Sequence, residues 1–299
     1  MSVEHEFGGQ HTDLKLSIVE GYLNAYTRAL RGHFEHLWYI DAFAGTGSRT
    51  VRTERRGATL VELPVDEVLD QRRGSAQIAV DVSPPFDFIV FIEKNSNYVA
   101  ALNDLAAKHL QRRIQVVESD ANTALRLLVA NNTWNDKRAV VFLDPYGMEV
   151  EWNTLEVLAR TEAIDVWFLF PLAGLYRQAT RRLTDIDEHK RAALTRIFGS
   201  DKWESELYPD GDPDMFGVIP ERRRELDPRG LERYVQQRLG EIFSTVLAPL
   251  ALPIDRGPQM FSLFLCISNP APSAIGLAQR IGNHLLDPKR HLIIRSSAQ

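Results

Sequence analysis

Four acidic residues of this sequence come directly after apolar stretches, or within a few residues of them. They are Asp41, Glu93, Asp120 and Asp144. Short, continuous apolar stretches are typical of buried parallel strands, whose two faces are both covered. If the first three strands lie side by side, their acids line one crevice at the carboxyl ends, where open α/β sheets bind ligands. An acid at such a position also often caps the next helix, and for Asp120 that alternative stays open.

The first acid opens a loop of small residues, Asp41-Ala42-Phe43-Ala44-Gly45-Thr46-Gly47. Its two glycines allow a tight turn and a close approach of the backbone to a ligand. The loop lacks the Lys-Ser/Thr that ends a nucleotide-triphosphate cradle. It also lacks the third glycine of the dinucleotide fingerprint. Both differences disfavour a phosphate-bearing ligand.

The acids therefore suggest a nucleoside with a cationic amino-acid tail. A carboxylate beside the glycine turn can accept hydrogen bonds from an ammonium group or from ordered water. Glu93 can accept two hydrogen bonds from a ribose diol, and Asp120 can accept one from an adenine amino group. S-adenosylmethionine fits these features better than NAD does. An NAD-dependent oxidoreductase stays as an alternative.

The fourth acid begins the tetrapeptide Asp144-Pro145-Tyr146-Gly147. Asp144 could position a substrate or accept a proton, and Tyr146 could stack on a planar substrate. The alternative is that Asp144 caps the following helix while Tyr146 packs over the sheet edge. Lys15 lies near the start of a predicted helix that could close over the cofactor. Its alternative is an ordinary solvated lysine.

The elements that would position these residues alternate along the chain. Strands are predicted at 37–41, 86–92, 114–117, 139–143 and 166–170, and helices are predicted at 12–30, 76–82, 97–110, 121–130 and 153–160. This alternation predicts a Rossmann-like, doubly wound, mostly parallel α/β sheet. We expect a single domain over 1–299, with a surface insertion at 49–73 and a helical insertion or cap at 174–230. Within that second insertion we predict a charged helical stretch at 175–198 and loops at 208–214 and 227–230. A strand at 260–268 and helices at 231–247 and 272–286 complete the prediction.

Composition limits the class of protein. The 299 residues carry a formal net charge of −5, so no global attraction to nucleic acid is expected. No apolar stretch reaches the ~18 residues of a membrane span, and the N-terminus lacks the apolar core of a signal peptide. We therefore expect a cytoplasmic protein. A single cysteine, Cys266, and the absence of His-x-x-x-His spacing lead us to expect no metal site.

The motifs together resemble the class I S-adenosylmethionine-dependent methyltransferases, and more closely the three-Cys-motif partner family of prokaryotic and phage proteins. The resemblance covers residues 11–170 well and the remainder loosely. It is carried by His11-Thr12 with Lys15-Leu16, by 41–47, by Gly74-Ser75, by Phe91-Ile92-Glu93, by Asp120-Ala121-Asn122 and by 142–147.

The resemblance implies a division of roles. Residues 41–47, with Asp41, Phe43, Ala44, Gly45 and Gly47, would hold the methionine part of the cofactor. Glu93 would hold the ribose, and Asp120 with Ala121 would lie near the adenine. Lys15 is included in the cofactor site. The resemblance also implies a partner protein with a three-cysteine, radical-type iron–sulfur motif.

Asp144, Pro145 and Tyr146 are the candidate catalytic residues. They occupy the place of Asp/Asn-Pro-Pro-Tyr/Phe in amino-directed methyltransferases, where the aromatic ring stacks on a flipped base. In this sequence Tyr146 stands where the motif has its second proline, and Gly147 stands where the motif has its aromatic residue. The expected activity is methyl transfer to an unidentified nucleophile, in a nucleic-acid base or a protein. The alternative is a cofactor-binding module that serves the iron–sulfur partner without catalysis.

Overall fold

The computed structural model describes residues 7–46, 48–54, 67–212, 215–216, 220–253 and 257–291. The helices are α1 (Phe7–Leu30), α2 (Ser75–Asp81), α3 (Ser96–Lys108), α4 (Ala121–Ala130), α5 (Trp152–Ala159), α6 (Leu172–Gln178), α7 (Glu188–Phe198), α8 (Trp203–Leu207), α9 (Pro228–Gly240) and α10 (Pro272–Leu285). The strands are β1 (His36–Asp41), β2 (Ser48–Glu54), β3 (Glu67–Arg73), β4 (Phe88–Glu93), β5 (Ile114–Glu118), β6 (Lys137–Leu143), β7 (Ile164–Phe170), β8 (Thr245–Val246), β9 (Leu250–Leu252) and β10 (Phe261–Ile267).

The central sheet has the strand order β5-β4-β1-β6-β7-β10-β8, and β9 also pairs with β10. The first five of these strands are parallel, and β10 runs antiparallel to β7. Numbered along the chain, the parallel strands follow the order 3-2-1-4-5 of the doubly wound Rossmann sheet. The predicted fold class is confirmed. The order reverses between β1 and β6, so the ligand crevice is expected at the carboxyl ends of these two strands.

The central strands of the sheet are buried on both faces because successive residues in them are apolar. Alternate residues of β6 illustrate this. Val141 and Leu143 join the core beneath α4 and α5, whereas Val140 and Phe142 join the core beneath α1 and α2. Each face thus has its own hydrophobic core. The helices that the structure describes include none with the length and apolar composition needed to cross a bilayer.

The region 49–73 contains an antiparallel hairpin, β2–β3, whose two strands form a sheet of their own. The apolar patch at 59–61 lies outside the described residues. The hairpin stands between the glycine loop and α2, so the chain does not pass directly from that loop into a helix.

The second half of the chain departs from the predicted bounds in three places. The helical stretch predicted from 175 to 198 is broken into α6, a short 3₁₀ helix (Leu183–Asp185) and α7. The loop predicted at 227–230 is wrong, because Asp227 caps α9 by accepting a hydrogen bond from the Gly230 amide at 2.7 Å, and Pro228 opens the helix. The helix predicted to reach 247 ends at Gly240, and β8 follows it.

Candidate functional site

Three of the predicted acids meet where the strand order reverses. In the strand register, Asp41 of β1 lies beside Phe91 of β4 and Phe142 of β6. Glu93 and Asp144 each follow two residues further along those flanking strands. The three side chains therefore lie at one edge of the sheet, at the carboxyl ends of neighbouring strands, where ligands of such folds bind.

The glycine loop continues the sheet before it turns away. The Ala42 amide donates to the Phe142 carbonyl at 3.1 Å, and the Ala44 amide donates to the Ile92 carbonyl at 3.1 Å. The loop then turns at Gly45, whose φ of +59° is a left-handed conformation that glycine adopts without strain. The predicted role of Gly47 falls on a residue outside those described. Phe43 is half-buried and packs on the core beneath α4.

Glu93 organises this turn. Its carboxylate accepts hydrogen bonds from the backbone amides of Gly45 at 3.0 Å, Lys94 at 2.9 Å and Asn95 at 2.9 Å. The side chain is buried. A carboxylate offers about four acceptor positions, so roughly one is left for a ligand. Holding both hydroxyls of a ribose would require Glu93 to exchange one of its backbone hydrogen bonds.

Asp41 is fully buried beneath the loop. Burial raises the pKa of its carboxyl to about 7. The Asp144 charge also raises this pKa, whereas hydrogen bonds with Ser75 and the Phe43 amide and the Lys15 charge lower it. Ser75 is the first residue of α2. The Asp41 carboxylate therefore lies at the N-terminus of α2. A dinucleotide fold would bind a pyrophosphate at such a helix N-terminus.

Lys15 and Asp144 form an ion pair across the crevice. The Lys15 ammonium hydrogen-bonds to Oδ2 of Asp144 and lies 5.9 Å from the centre of the Phe142 ring. The Lys15 side chain is 8% exposed and that of Asp144 is 28% exposed. The solvated-lysine alternative is therefore wrong. The alternative that Asp144 caps the next helix is also wrong, because α5 begins at Trp152 with Glu151 at its cap position.

Tyr146 projects from the same loop into solvent. Its side chain is 73% exposed, and its hydroxyl oxygen lies 4.0 Å from the point where a Cβ on Gly45 would stand. Partial burial, followed by the nearby Glu93 charge, raises the pKa of Tyr146. Pro145 is buried. The alternative that Tyr146 packs over the sheet edge is therefore wrong, and its stacking on a planar substrate stays a prediction.

Asp120 caps α4, as one of the two alternatives predicted. Its Oδ1 accepts a hydrogen bond from the Thr123 amide at 3.0 Å. The side chain is exposed, and Ala121 next to it is buried. The cap occupies one carboxylate oxygen, so the other can still accept a hydrogen bond from a ligand. The predicted adenine role is compatible with this geometry and stays a prediction.

Asn122 is a site residue that sequence reasoning missed as a functional side chain. It is buried, and it joins the start of α4 to the loop after Asp144. Motif spacing gave no signal for it, because its partners are mostly backbone groups. A polar residue in the first turn of a helix that follows a strand-end acid is the feature that could have drawn attention to it.

Glu149, in the loop that follows Asp144, has one carboxylate oxygen that is buried without a hydrogen bond to a described residue. Its Oε1 accepts a hydrogen bond from Lys94 at 2.9 Å, whereas its Oε2 is buried and has no hydrogen-bond partner among the described residues. A buried acceptor of this kind can take a hydrogen bond from a water or from a bound molecule.

One group of possible metal ligands lies at the opposite edge of the sheet. Glu35, His36 and Asp136, at or just before the starts of β1 and β6, bring their ligand atoms within 4.8 Å of one another. Glu35 is exposed, and the other two are half-buried. The group is remote from the strand carboxyl ends, so it takes no part in the crevice. The prediction that the protein needs no metal stays a prediction.

No protein-family model and no curated protein matches the sequence. Several solved structures resemble the chain in fold. Protein LPL1258 from Legionella pneumophila str. Philadelphia 1, described by the family model DUF519, is 15% identical, with 94% of each chain covered and a TM-score of 0.49. The N-terminal domain of EvdMO1, crystallised in the presence of SAH and D-fucose, is 11% identical, with 86% of this chain and 83% of that domain covered and a TM-score of 0.38.

A third structure is an S-adenosylmethionine-dependent methyltransferase from Clostridium acetobutylicum ATCC 824. It is 7% identical, with 86% of this chain and 92% of that chain covered and a TM-score of 0.35. At such identities and scores these likenesses carry no functional argument, so chemistry must be argued from the crevice itself. The closer resemblance to the three-Cys-motif partner family stays a prediction.

Proposed function

We propose that this protein binds S-adenosylmethionine at the carboxyl ends of β1, β4 and β5 and transfers its methyl group to a nucleophile held beside Asp144. The observation that carries the proposal is the convergence of Asp41, Glu93 and Asp144 around the Gly45 turn, where the strand order reverses. Such a site takes a ligand whose two ends are recognised by different strands.

The charge of the crevice favours a cationic ligand over a phosphate. Three carboxylates surround the turn, and Lys15 is the basic side chain that pairs with one of them. A pyrophosphate at this position would meet these negative charges at close range. The start of α2 already faces Asp41, and the glycine loop leads into β2 instead of a helix. Both features disfavour NAD.

One side of the crevice would bind the cofactor, and the other side would position the methyl acceptor. The cofactor, when bound, supplies an electrophilic methyl group on a positively charged sulfur. Asp41 and the 41–46 turn would hold its amino-acid end, and Glu93 and Asp120 would accept hydrogen bonds from its nucleoside end. Lys15 fixes Oδ2 of Asp144, so Oδ1 can accept a hydrogen bond from the acceptor and hold it in line with the methyl group. Positioning of this kind supplies much of the rate of a bimolecular reaction.

The acceptor would lie against Tyr146. Its exposed ring beside Gly45 suits a planar group, and the position of Gly147 leaves open space instead of a second ring. The arginines at 182, 222 and 223 are already engaged in ion pairs, which lowers the positive charge that they offer to a nucleic acid. Arg182 and Arg223 both pair with Glu221, and Arg222 pairs with Asp210. A nucleic-acid base and a protein side chain both stay within the proposal.

A second candidate function is a cofactor-binding module that does not catalyse. The observation in its favour is that Asp144 is already bonded to the protein's own Lys15. In this proposal the crevice would serve a partner protein, which the sequence resemblance implies to be a three-cysteine iron–sulfur protein. The module would bind the cofactor but transfer nothing.

Calorimetry with S-adenosylmethionine, S-adenosylhomocysteine and NAD tests the proposed ligand. We expect both sulfur nucleosides to bind and NAD to leave no heat signal. Failure of both sulfur nucleosides to bind would refute the proposal.

Transfer of a radiolabelled methyl group to nucleic-acid and protein extracts then separates the two candidate functions. We expect Asp144→Ala to abolish transfer and keep cofactor affinity, with Asp104→Asn on the exposed side of α3 as the control. Binding by the wild type without any transfer would favour the module.

A further inference from the structure

The loop that carries Asp144 and Tyr146 is held to α4 by one buried side chain. We name residues 144–151 the acceptor loop. The amide nitrogen of Asn122 donates to the Glu149 carbonyl at 2.9 Å, and its amide oxygen accepts from the Glu151 backbone amide at 2.9 Å. The same oxygen accepts from the Thr154 hydroxyl at 3.0 Å. Asn122 is buried, so the Glu149 carbonyl and the Glu151 amide would each lose a buried hydrogen bond without it.

Two ion pairs near the end of the acceptor loop are more exposed than this junction, whereas the pair of Lys15 with Asp144 at the start of the loop is largely buried. Lys94 pairs with Glu149 at 2.9 Å with a side chain that is 60% exposed, and Arg126 pairs with Glu151 at the surface of α4. Exposed ion pairs of this type contribute little to holding a loop. Buried hydrogen bonds to backbone groups hold it more strongly, because breaking them leaves polar groups unsatisfied. Asn122 therefore tethers residues 149–151 of the loop to α4, while Lys15 holds Asp144 at the start of the loop.

The tether is anchored next to the proposed cofactor. Asn122 lies two residues after Asp120, within the first turn of α4, and Ala121 stands between them. A ligand that forms a hydrogen bond with Asp120 would contact the first turn of α4. Asn122 lies in this same turn and bonds to the acceptor loop. The buried side chain of Asn122 is thus a direct hydrogen-bonded link between this turn of α4 and the acceptor loop.

We propose that Asn122 is a positioning residue that couples the nucleoside side of the crevice to the acceptor loop. Filling the crevice beside Asp120 restrains the first turn of α4, and Asn122 then holds Asp144 and Tyr146 in place for the acceptor. This coupling rests on the proposed function, since it requires the nucleoside to bind beside Asp120. The tether itself is a property of the ligand-free chain.

Hydrogen–deuterium exchange of peptides that span 144–151 tests both parts. The variant is Asn122→Asp, which keeps the size and the acceptor oxygens but loses the donor to Glu149. The control is Asn103→Asp, the same change on the exposed side of α3. In the ligand-free chain we expect loop exchange to be about tenfold faster in Asn122→Asp than in the wild type, and unchanged in the control.

Addition of S-adenosylhomocysteine tests the coupling. We expect it to slow loop exchange in the wild type and not in Asn122→Asp, while calorimetric affinity for it changes less than about threefold. Methyl transfer by Asn122→Asp should then lose about tenfold in kcat with little change in KM for the cofactor. If Asn122→Asp does not fold, Thr154→Val serves in its place, because it removes one of the three bonds and should loosen the loop about twofold to threefold.

The outcomes separate the inference from the proposed function. Unchanged loop exchange in the ligand-free variant overturns the tether. Equal ligand protection in wild type and variant overturns the coupling. If the wild type does not bind S-adenosylhomocysteine, the proposed function fails and the coupling fails with it. A loosened loop in ligand-free Asn122→Asp would in that case still support the tether.

Discussion

The ammonium of Lys15 in α1 hydrogen-bonds to the carboxylate of Asp144, 129 residues later in the chain. The bond joins the helix on one side of the sheet to the loop that would present the acceptor. It also places a positive charge among the three carboxylates of the crevice.

Replacing Lys15 should destabilise the fold, because Asp144 would then lack its ion-pair partner. In Lys15→Met, Asp144 loses its partner next to the buried Asp41, and we expect about 1–2 kcal/mol lower free energy of unfolding. The double variant Lys15→Met/Asp144→Asn should recover most of that loss, because no unpaired charge remains. Urea denaturation measures both, with Lys108→Met on α3 as the control. An equal loss in the single and double variants would show that the pair does not act as a unit.

The buried Asp165 of β7 should make stability depend on pH. It accepts a hydrogen bond from Tyr22 at 2.8 Å, and burial raises its pKa to about 7. The unfolded value is about 3.9, so the folded protein binds this proton more tightly. Stability from this group is present below pH 4 and is lost as pH rises to about 7. We expect Asp165→Asn to remove roughly 2–4 kcal/mol of the fall in unfolding free energy between pH 4 and 8. Parallel pH profiles for the variant and the wild type would contradict this.

Affinity for S-adenosylmethionine should rise with pH because of Asp41. Its pKa is about 7 in the ligand-free crevice, mainly through burial. A cationic ligand favours the ionised carboxylate, so below pH 7 binding must release a proton. We expect affinity to weaken by up to about tenfold per pH unit below 7. Calorimetry in buffers of different ionisation heat measures the proton released. Asp41→Asn should bind without this proton release, and a wild-type affinity that does not vary between pH 6 and 8 would refute the assignment.

Gly45 should resist substitution more than Gly147. Alanine at Gly45 would stand at φ +59°, which costs an L-residue roughly 1–2 kcal/mol. Space is not the obstacle, since the nearest atom to the added Cβ is the Tyr146 hydroxyl at 4.0 Å. Gly147→Ala is the matched control, because within the described part of the chain no atom beyond its two neighbours lies within 4 Å of its Cβ position, and its φ is not positive. Thermal unfolding should show a lower Tm for Gly45→Ala alone. Equal Tm values would contradict the strain argument.

The sequence predicted the parallel sheet because its signals are local. Each of the five strands contains an apolar run of ordinary length, and the acids at the carboxyl ends of β1, β4 and β6 stand out against those runs. The ion pair of Lys15 with Asp144 could not be predicted, since it depends on how α1 packs across the sheet. Asn122 was missed for a related reason, because two of its three partners are backbone groups that any sequence would supply. The strands β8 and β9 have two and three residues, too few to show a periodicity.

The hairpin β2–β3 leaves the glycine turn and returns to the start of α2 at the same place, since Ser48 pairs with Arg73. Asp41 and Ser75 therefore remain in contact although more than thirty positions separate them in the sequence. Because the entropy of closing a loop grows by only about 0.6 kcal/mol for each doubling of its length, chain can be added to or removed from the far end of this hairpin without moving either residue. The geometry of the crevice therefore does not depend on the length of the hairpin that enters and leaves beside it. A reporter peptide grafted at the far end of the hairpin should leave Asp41 and Ser75 in contact.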